Sequence, residues 1–573
     1  MSFKHFIPIN VLSLSLTAAL VMAGCGTATS STNTAEKSTI GTSTANMAVS
    51  SSADNISEIA APSPDADDMF TDRDLSGEYD TSTAEHITLS DANVTISEEG
   101  VYVLSGTLTD GQIIVVADDS AKVQLVLDQA HITSSNSAAI FVQSADKVFI
   151  TLAEGSENTL STSGEYVEND FHIDGVIFSK SDLTINGSGS LTIDSPYGHG
   201  IVSKDDLVIT DGTYSITAAS SALSGKDSIR IADGNFDLTA GSDGIHSDNE
   251  DDAEKGFVYI EDGIFTIHAE DDGIHAGGFL WICNGTIDIP SCYEGLEGKN
   301  VTIDNGTVSV VAEDDGINAA GGADESGMAG SESFSENGDI YITINGGDIS
   351  INVEGDGIDA NGCLYFTGGN ITIDGPTRGD NGALDYDGTA LISGGSFIAV
   401  GSSRMAQNFS DTSTQGSILV TLENSANAGD TITLKDSDGT TLLEFTPAKT
   451  YDSILISCPD ITEGSSYTIT AGEQEISVEM TSLIYGSGMM DGPGTTGDPG
   501  MMSDPGMMSD PGMMGGRGMR GNPGMNGDNS MNSDMGTPPE DGTMPRGGKK
   551  PDGGMMPEDG QRPGDGMMPE DGQ

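Results

Sequence analysis

The sequence predicts an all-β chain whose main body is a parallel β-helix, with three short strands in each coil of about 22 residues. Three observations predict it. The first is a recurring motif: Asp243-Gly244-Ile245-His246, Asp272-Gly273-Ile274-His275, Asp315-Gly316-Ile317-Asn318 and Asp356-Gly357-Ile358-Asp359, with weaker copies at Glu294-Gly295-Leu296-Glu297 and Gly382-Ala383-Leu384-Asp385. The second is its timing. The glycine opening the last segment of each repeat falls at 212, 234, 263, 285, 306, 347, 369 and 395, so the spacings are 22, 29, 22, 21, 41, 22 and 26 residues. A base period with occasional insertions marks a solenoid, and it is too short for a helix pair. The third is period-2 alternation inside each segment, which turns Leu280 and Ile282 to one face and Phe279 and Trp281 to the other.

The N-terminus has the form of an export signal. Lys4 and His5 precede an apolar run that ends in Val21-Met22-Ala23-Gly24-Cys25. This is a lipobox with Met22 at the usual Leu position. Residues 1–24 are expected to be a lipoprotein signal peptide and Cys25 the lipidated mature N-terminus, which holds the protein on the outer side of a bacterial cell membrane. A secretory signal cleaved nearby is the alternative. Residues 25–83 are rich in Ser, Thr, Ala and Asp and are expected to form a disordered linker.

Strand patterns begin near Glu85, in His86–Leu89, Val94–Ile96, Val101–Leu104 and Ile113–Val116. Residues 84–405 are assigned to the β-helix, with less regular first coils because terminal repeats must cap open strand edges. Residues 406–485 lose the repeat and form a small all-β module, either a sandwich or a C-terminal cap. Residues 486–573 are Gly-, Pro- and Met-rich; they hold 17 of the 24 methionines and are expected to be a disordered tail. Its thioethers could take Cu(I), but the tail has no His or Cys to support them. Cys283, Cys292, Cys363 and Cys458 have no zinc-site spacing, and no disulfide pairing follows from sequence.

The formal net charge of −69 excludes a nucleic-acid partner and favours cations. Stacking the coils turns sequence columns into surface ladders. One is acidic and comprises Asp243, Asp272, Glu294, Asp315 and Asp356, with Glu270, Glu313 and Glu354 two residues earlier. Three residues later stand His246, His275, Glu297, Asn318, Asp359 and Asp385. Carboxylates on strands about 4.8 Å apart repel unless solvated or neutralised. Ca²⁺ fits such oxygen donors, and a solubilising acidic face is the alternative. His246 and His275 alone would suggest zinc, but their neighbours are hard oxygen donors.

A second ladder is aromatic, with Tyr259, Trp281, Thr302, Tyr341 and Tyr365 in one outward column beside Phe257 and Phe279. Open to solvent, it would be a platform for sugar rings. The insertions Asp248–Lys255 and Gly321–Asn337, or the C-terminal module, could instead cover it. A third column holds Lys180, Lys204, Lys226 and Lys299. Lys226 or Lys299 beside a metal could serve as the base of a lyase, but charge balance explains the column as well.

The segments Val123–Asp128, Ala138–Val142 and Ile150–Leu160, with the Asp-Gly-Ile copies, resemble the carbohydrate-binding domain family of exported clostridial β-helix proteins. The resemblance covers about residues 84–405. It implies a right-handed β-helix that binds Ca²⁺, cellulose and acidic, pectin-like sugars. That family is similar to polysaccharide lyase family 9 without being established as a lyase. The expectation is a monomeric surface lipoprotein that binds polysaccharide with Ca²⁺ in the acidic ladder, touching membrane only through its lipid. The alternatives are a Ca²⁺-dependent pectate lyase and a wall or adhesion stalk.

Overall fold

The computed structural model describes residues 69–249, 251–319 and 340–486. The expected signal peptide, Cys25, the linker up to residue 68, the insertion Gly321–Asn337 and the tail from residue 487 lie outside the described residues. Within them, all regular structure is strand. Thirty-six strands join one large, mostly parallel sheet, and four more form a small second sheet.

Pairing in the large sheet recurs three strands apart. Thr213–Ala218 pairs in parallel with Ser190–Ser195 before it and Asn235–Ala240 after it. Asp206–Ile209 lies likewise between Asp182–Asn186 and Ser228–Ile231. Leu223–Gly225 lies between His199–Ser203 and Ile245–Ser247. The chain therefore revisits the same three stations once per repeat.

Alternation decides what is inside. Asn235–Ala240 runs exposed, buried, exposed, buried, exposed, buried, and its neighbours repeat the pattern. Aligned inward positions stack: the rings of Tyr214 and Phe236 lie 4.9 Å apart and those of Phe236 and Phe265 4.6 Å, nearly parallel in both cases. Buried Ile, Leu and Val continue this core to Phe397, each contributing roughly 1.5–3 kcal/mol. Gly234 has a φ of 142°, and a Cβ there would come within 2.8 Å of the Phe236 ring, so only glycine admits the turn into the stack.

One segment covers a side of the sheet and another closes its C-terminal edge. Residues 69–77, assigned to the linker from sequence, pack across the outside of the sheet, so the linker ends before Met69. Met69 and Asp74 are buried. Asp74 Oδ1 lies 2.7 Å from Lys147 Nζ and accepts from Thr184 Oγ1 at 2.6 Å, and its backbone carbonyl accepts from Thr210 and Asn186. Arg230 reaches the Met69 carbonyl. This strap has no periodicity and little apolar surface, so the local pattern does not mark it; its order comes from hydrogen bonds to side chains far along the chain. Burial alone would raise the Asp74 carboxyl, but hydrogen bonds from Lys147, Thr184 and Thr71 outweigh it and hold the group down at about 2.

At the C-terminal edge, Ser396–Gly401 pairs antiparallel with Tyr451–Ser457, which pairs antiparallel with Ser417–Ala426. This closes the edge that the last parallel strand would leave open. Ile398 and Val400 join a second core with Ile418, Ile454 and Ile456, and with Ile432 and Ile469 of the four-stranded sheet. Cys283, Cys292, Cys363 and Cys458 are free thiols.

Candidate functional site

The acidic ladder is positioned by the residue that follows its Asp-Gly. Ile245, Ile274, Leu296, Ile317 and Ile358 are fully buried. The column after them is in the register expected from sequence: His246 against His275, then Glu297, Asn318, Asp359 and Asp385. The glycine before each is needed for close approach. A Cβ on Gly273 would stand 2.6 Å from the Gly295 carbonyl and 2.7 Å from Ile289 Cδ1; one on Gly316 would stand 2.5 Å from the Gly357 carbonyl. The acids are also pinned from the next repeat: Asp272 N–H donates to Asp243 Oδ1 at 3.3 Å, Asp356 N–H to Asp315 Oδ1 at 2.6 Å, and Gly382 N–H to Asp356 Oδ1.

The ladder gathers into two groups, in each of which one ligand atom per residue lies within 4.8 Å of the others: Asp272, His275 and Glu297, all buried, and Asp315, Asp356 and Asp359, half-buried. In the first, His275 Nδ1 donates to Glu297 Oε2 and faces Asp272 Oδ2 at 3.1 Å. Burial opposes the imidazolium, but those two carboxylates raise it to about 11. In the second, burial and repulsion from neighbouring carboxylates, for Asp356 those of Asp385, Asp314 and Asp380, push Asp315 up to about 9 and Asp356 to about 7, and raise Asp359 well above the carboxylate range. Between the groups, Asn318 donates to Glu294 Oε2 at 2.8 Å, while its own Oδ1 is buried without a partner. The ladder also reaches one repeat further back than the acids suggested, where Ser221 Oγ donates to Asp243 Oδ2 at 3.2 Å.

The outer glutamates stand apart. Glu270 and Glu313 are exposed and line an open notch of about 370 Å³ with Pro290, Cys292 and Tyr293. The notch lies where the register shifts between Ile289 and Cys292. Glu354 is engaged by Lys449 Nζ at 3.4 Å and Thr377 Oγ1 at 3.2 Å.

The aromatic column differs from expectation in two ways. Tyr259, Trp281 and Thr302 align, but the next residue in the row is Thr343, followed by Tyr365. Tyr341 stands opposite Cys363, two residues early. The insertion before it hides the register, which counting back four residues from Gly306, Gly347 and Gly369 would have given. The rings are also not a flat open platform. Tyr259 is 3% exposed, with Phe70 of the strap 5.9 Å from its ring, and Trp281 meets it edge-on at 5.2 Å. Tyr341 is buried. Trp281 and Tyr365 are half-buried, and Trp281 donates its indole N–H to Asp304 Oδ2 at 2.8 Å. Phe257 and Phe279, also half-buried, stack at 4.5 Å and 14°. Neither Phe70 nor Asp304 was singled out from sequence; only Asp304 carried a signal, its place directly after the Thr302 strand.

Among the lysines, Lys204 pairs with Asp174 and Lys226 with Asp251, whose carboxylate raises the Lys226 ammonium above its ordinary range. Lys299 is half-buried. These pairs fit charge balance.

The molecule is thus an all-β protein of mostly parallel strands that carries a pinned acidic ladder beside a partly covered aromatic row. Residues 90–338 match the model of the family described as carbohydrate-binding domain-containing protein. A curated relative, the carbohydrate-binding domain-containing protein of Acetivibrio thermocellus, is 39% identical over 136 residues, which make up 23% of this chain and 47% of the relative. The chain therefore spans about half the length of the curated relative it matches. A solved structure described as the polysaccharide lyase-like protein from C. thermocellum, gadolinium derivative, is 33% identical, covers 39% of this chain and 91% of that one, and has a TM-score of 0.35.

Proposed function

We propose that this protein is a cell-surface lipoprotein that binds polysaccharide, acidic pectin-like chains or cellulose, on a right-handed parallel β-helix that uses Ca²⁺. The right-handed sense is what the family resemblance implies, and the preference of parallel crossovers, right-handed in about 98% of cases, supports it. Carbohydrate binding is supported by the likeness of residues 90–338 to a carbohydrate-binding family and by the Acetivibrio thermocellus relative. The observation that carries the metal is the convergence of Asp315, Asp356 and Asp359 from successive repeats. Ca²⁺ takes about six to eight oxygens, and three carboxylates with water supply them. A bound ion would also relieve the repulsion in this group and give a polyuronate carboxylate something to bind on a chain of charge −69. The other acids of the ladder, Asp243, Glu294, Asp272 and Glu297, would extend the cation surface. Glu270 and Glu313 would line its rim.

The anchor in this reading is Cys25, and the closed C-terminal edge supports a monomer. Lys226 is a weak candidate for the base of the lyase alternative, because a lysine base must be neutral and Asp251 holds the Lys226 ammonium. The test is retention on polygalacturonate and on insoluble cellulose in millimolar Ca²⁺ and in EDTA. Ca²⁺-dependent retention on the polyuronate is expected; no retention on either polymer would overturn the reading.

A further inference from the structure

The histidine-bearing half of the ladder has a donor set unlike the rest. His246 and His275 stand in register on adjacent strands, and their rings stack at 4.9 Å and 12°. His275 Nδ1, a carboxylate oxygen of Asp272 and one of Glu297 lie within 4.8 Å of one another, and each of these residues is 5% exposed. One potential ligand atom here has no hydrogen-bond partner. Asp272 Oδ1 is buried and unpaired, on a carboxylate whose other oxygen already faces His275. His246 Nδ1 faces Asp243 Oδ2 at 2.8 Å. A buried carboxylate oxygen left without a donor is costly, and a cation between the groups would satisfy it.

We infer that Asp272, His275 and Glu297, with His246 and Asp243 at the edge, form a second metal site, selective for a borderline divalent transition ion of the Zn²⁺ class. Imidazole suits Zn²⁺, Co²⁺ and Ni²⁺ and is a poor ligand for Ca²⁺. One imidazole nitrogen, two carboxylates and a water make the four-coordinate set that Zn²⁺ prefers. The Asp315–Asp356–Asp359 group contains no nitrogen donor and keeps the hard-cation character. The ladder would then carry two chemically different ions along one face. This rests on the Ca²⁺ reading only in treating the ladder as a cation surface.

The experiment is equilibrium dialysis of the full chain against ZnCl₂ and, separately, CaCl₂, with metal content measured on the wild type, H275Q and D359N. X-ray absorption of the Zn-loaded wild type accompanies it. The expected result is Zn²⁺ bound by the wild type, weakened at least tenfold by H275Q and little changed by D359N, with Ca²⁺ showing the opposite pattern. The absorption spectrum should show imidazole scattering with a Zn–N distance of about 2.0–2.1 Å. The tail from residue 487 has no His or Cys, so it cannot supply that signal. If H275Q fails to fold, the wild-type spectrum decides. Zn²⁺ bound with oxygen donors alone, Zn²⁺ unaffected by H275Q in a folded variant, or no Zn²⁺ uptake would overturn the inference and leave the Ca²⁺ reading standing. Zn²⁺ binding without any Ca²⁺ binding would support it and remove the Ca²⁺ reading instead.

Discussion

Lys147 Nζ lies 2.7 Å from Asp74 Oδ1, and both side chains are shielded from solvent. The pair joins a segment that precedes the first strand to the outer face of the sheet. Replacing Asp74 with Ala should cost about 3–5 kcal/mol, because it leaves the Lys147 ammonium buried and unpaired. The strap should also become sensitive to protease.

The same pair predicts a pH effect. Asp74 is held at about 2 against an ordinary 3.8. A depressed carboxyl stabilises the fold above its unfolded value, and that contribution is lost as pH falls through the folded value. About 2 kcal/mol should therefore disappear between about pH 4 and pH 2. Comparing urea midpoints of wild type and Asp74→Asn across that window checks it; a difference that stays constant down to about pH 2 would refute the assignment.

The acidic group behaves in the opposite sense. Asp315 and Asp356 are raised to about 9 and about 7. Raised carboxyls stabilise most below their ordinary value, so in EDTA stability should fall as pH climbs from about 4 towards 9. Ca²⁺ should reverse this by raising the thermal midpoint, since an ion bound only by the folded state stabilises it by mass action. Asp315→Asn should be more stable than wild type in EDTA at pH 8, with a smaller Ca²⁺ shift. Identical melting curves in EDTA and millimolar Ca²⁺ would end the idea.

The aromatic row makes a graded prediction. Trp281 is half-buried and anchored by Asp304, whereas Tyr259 is covered by Phe70. Trp281→Ala should weaken binding to insoluble cellulose by about 1–3 kcal/mol. Tyr259→Phe should leave it unchanged. Because Trp281 is the single tryptophan, acrylamide quenching reports this row directly and should fall when cellulose is bound. Binding unaffected by Trp281→Ala would move the sugar site to the acidic ladder and its notch.

Lyase activity is not expected. Polygalacturonate incubated with the protein and Ca²⁺ at alkaline pH should show no growth of unsaturated-uronide absorbance. A steady rise, abolished by Lys226→Ala or Lys299→Ala, would restore the enzyme reading.

The sequence by itself determined the repeat and most of its register. The period of glycines and the Asp-Gly-Ile copies put His246, His275, Glu297, Asn318, Asp359 and Asp385 in one column, and the structure pairs them so. That was legible because strand alternation is strict: a one-residue slip would expose the buried Ile and Leu of every repeat. Tyr341 shows the limit, since an error of two residues keeps the same face and hydrophobicity cannot detect it. Only the tertiary structure decided that His275 stands between Asp272 and Glu297, that Asp315, Asp356 and Asp359 form a separate group, and that Met69–Gly77 lies over Tyr259's side of the sheet. Those outcomes depend on side-chain directions and on hydrogen bonds between residues up to 161 positions apart, as from Arg230 to Met69. Such contacts have no period, so nothing in the local pattern announces them.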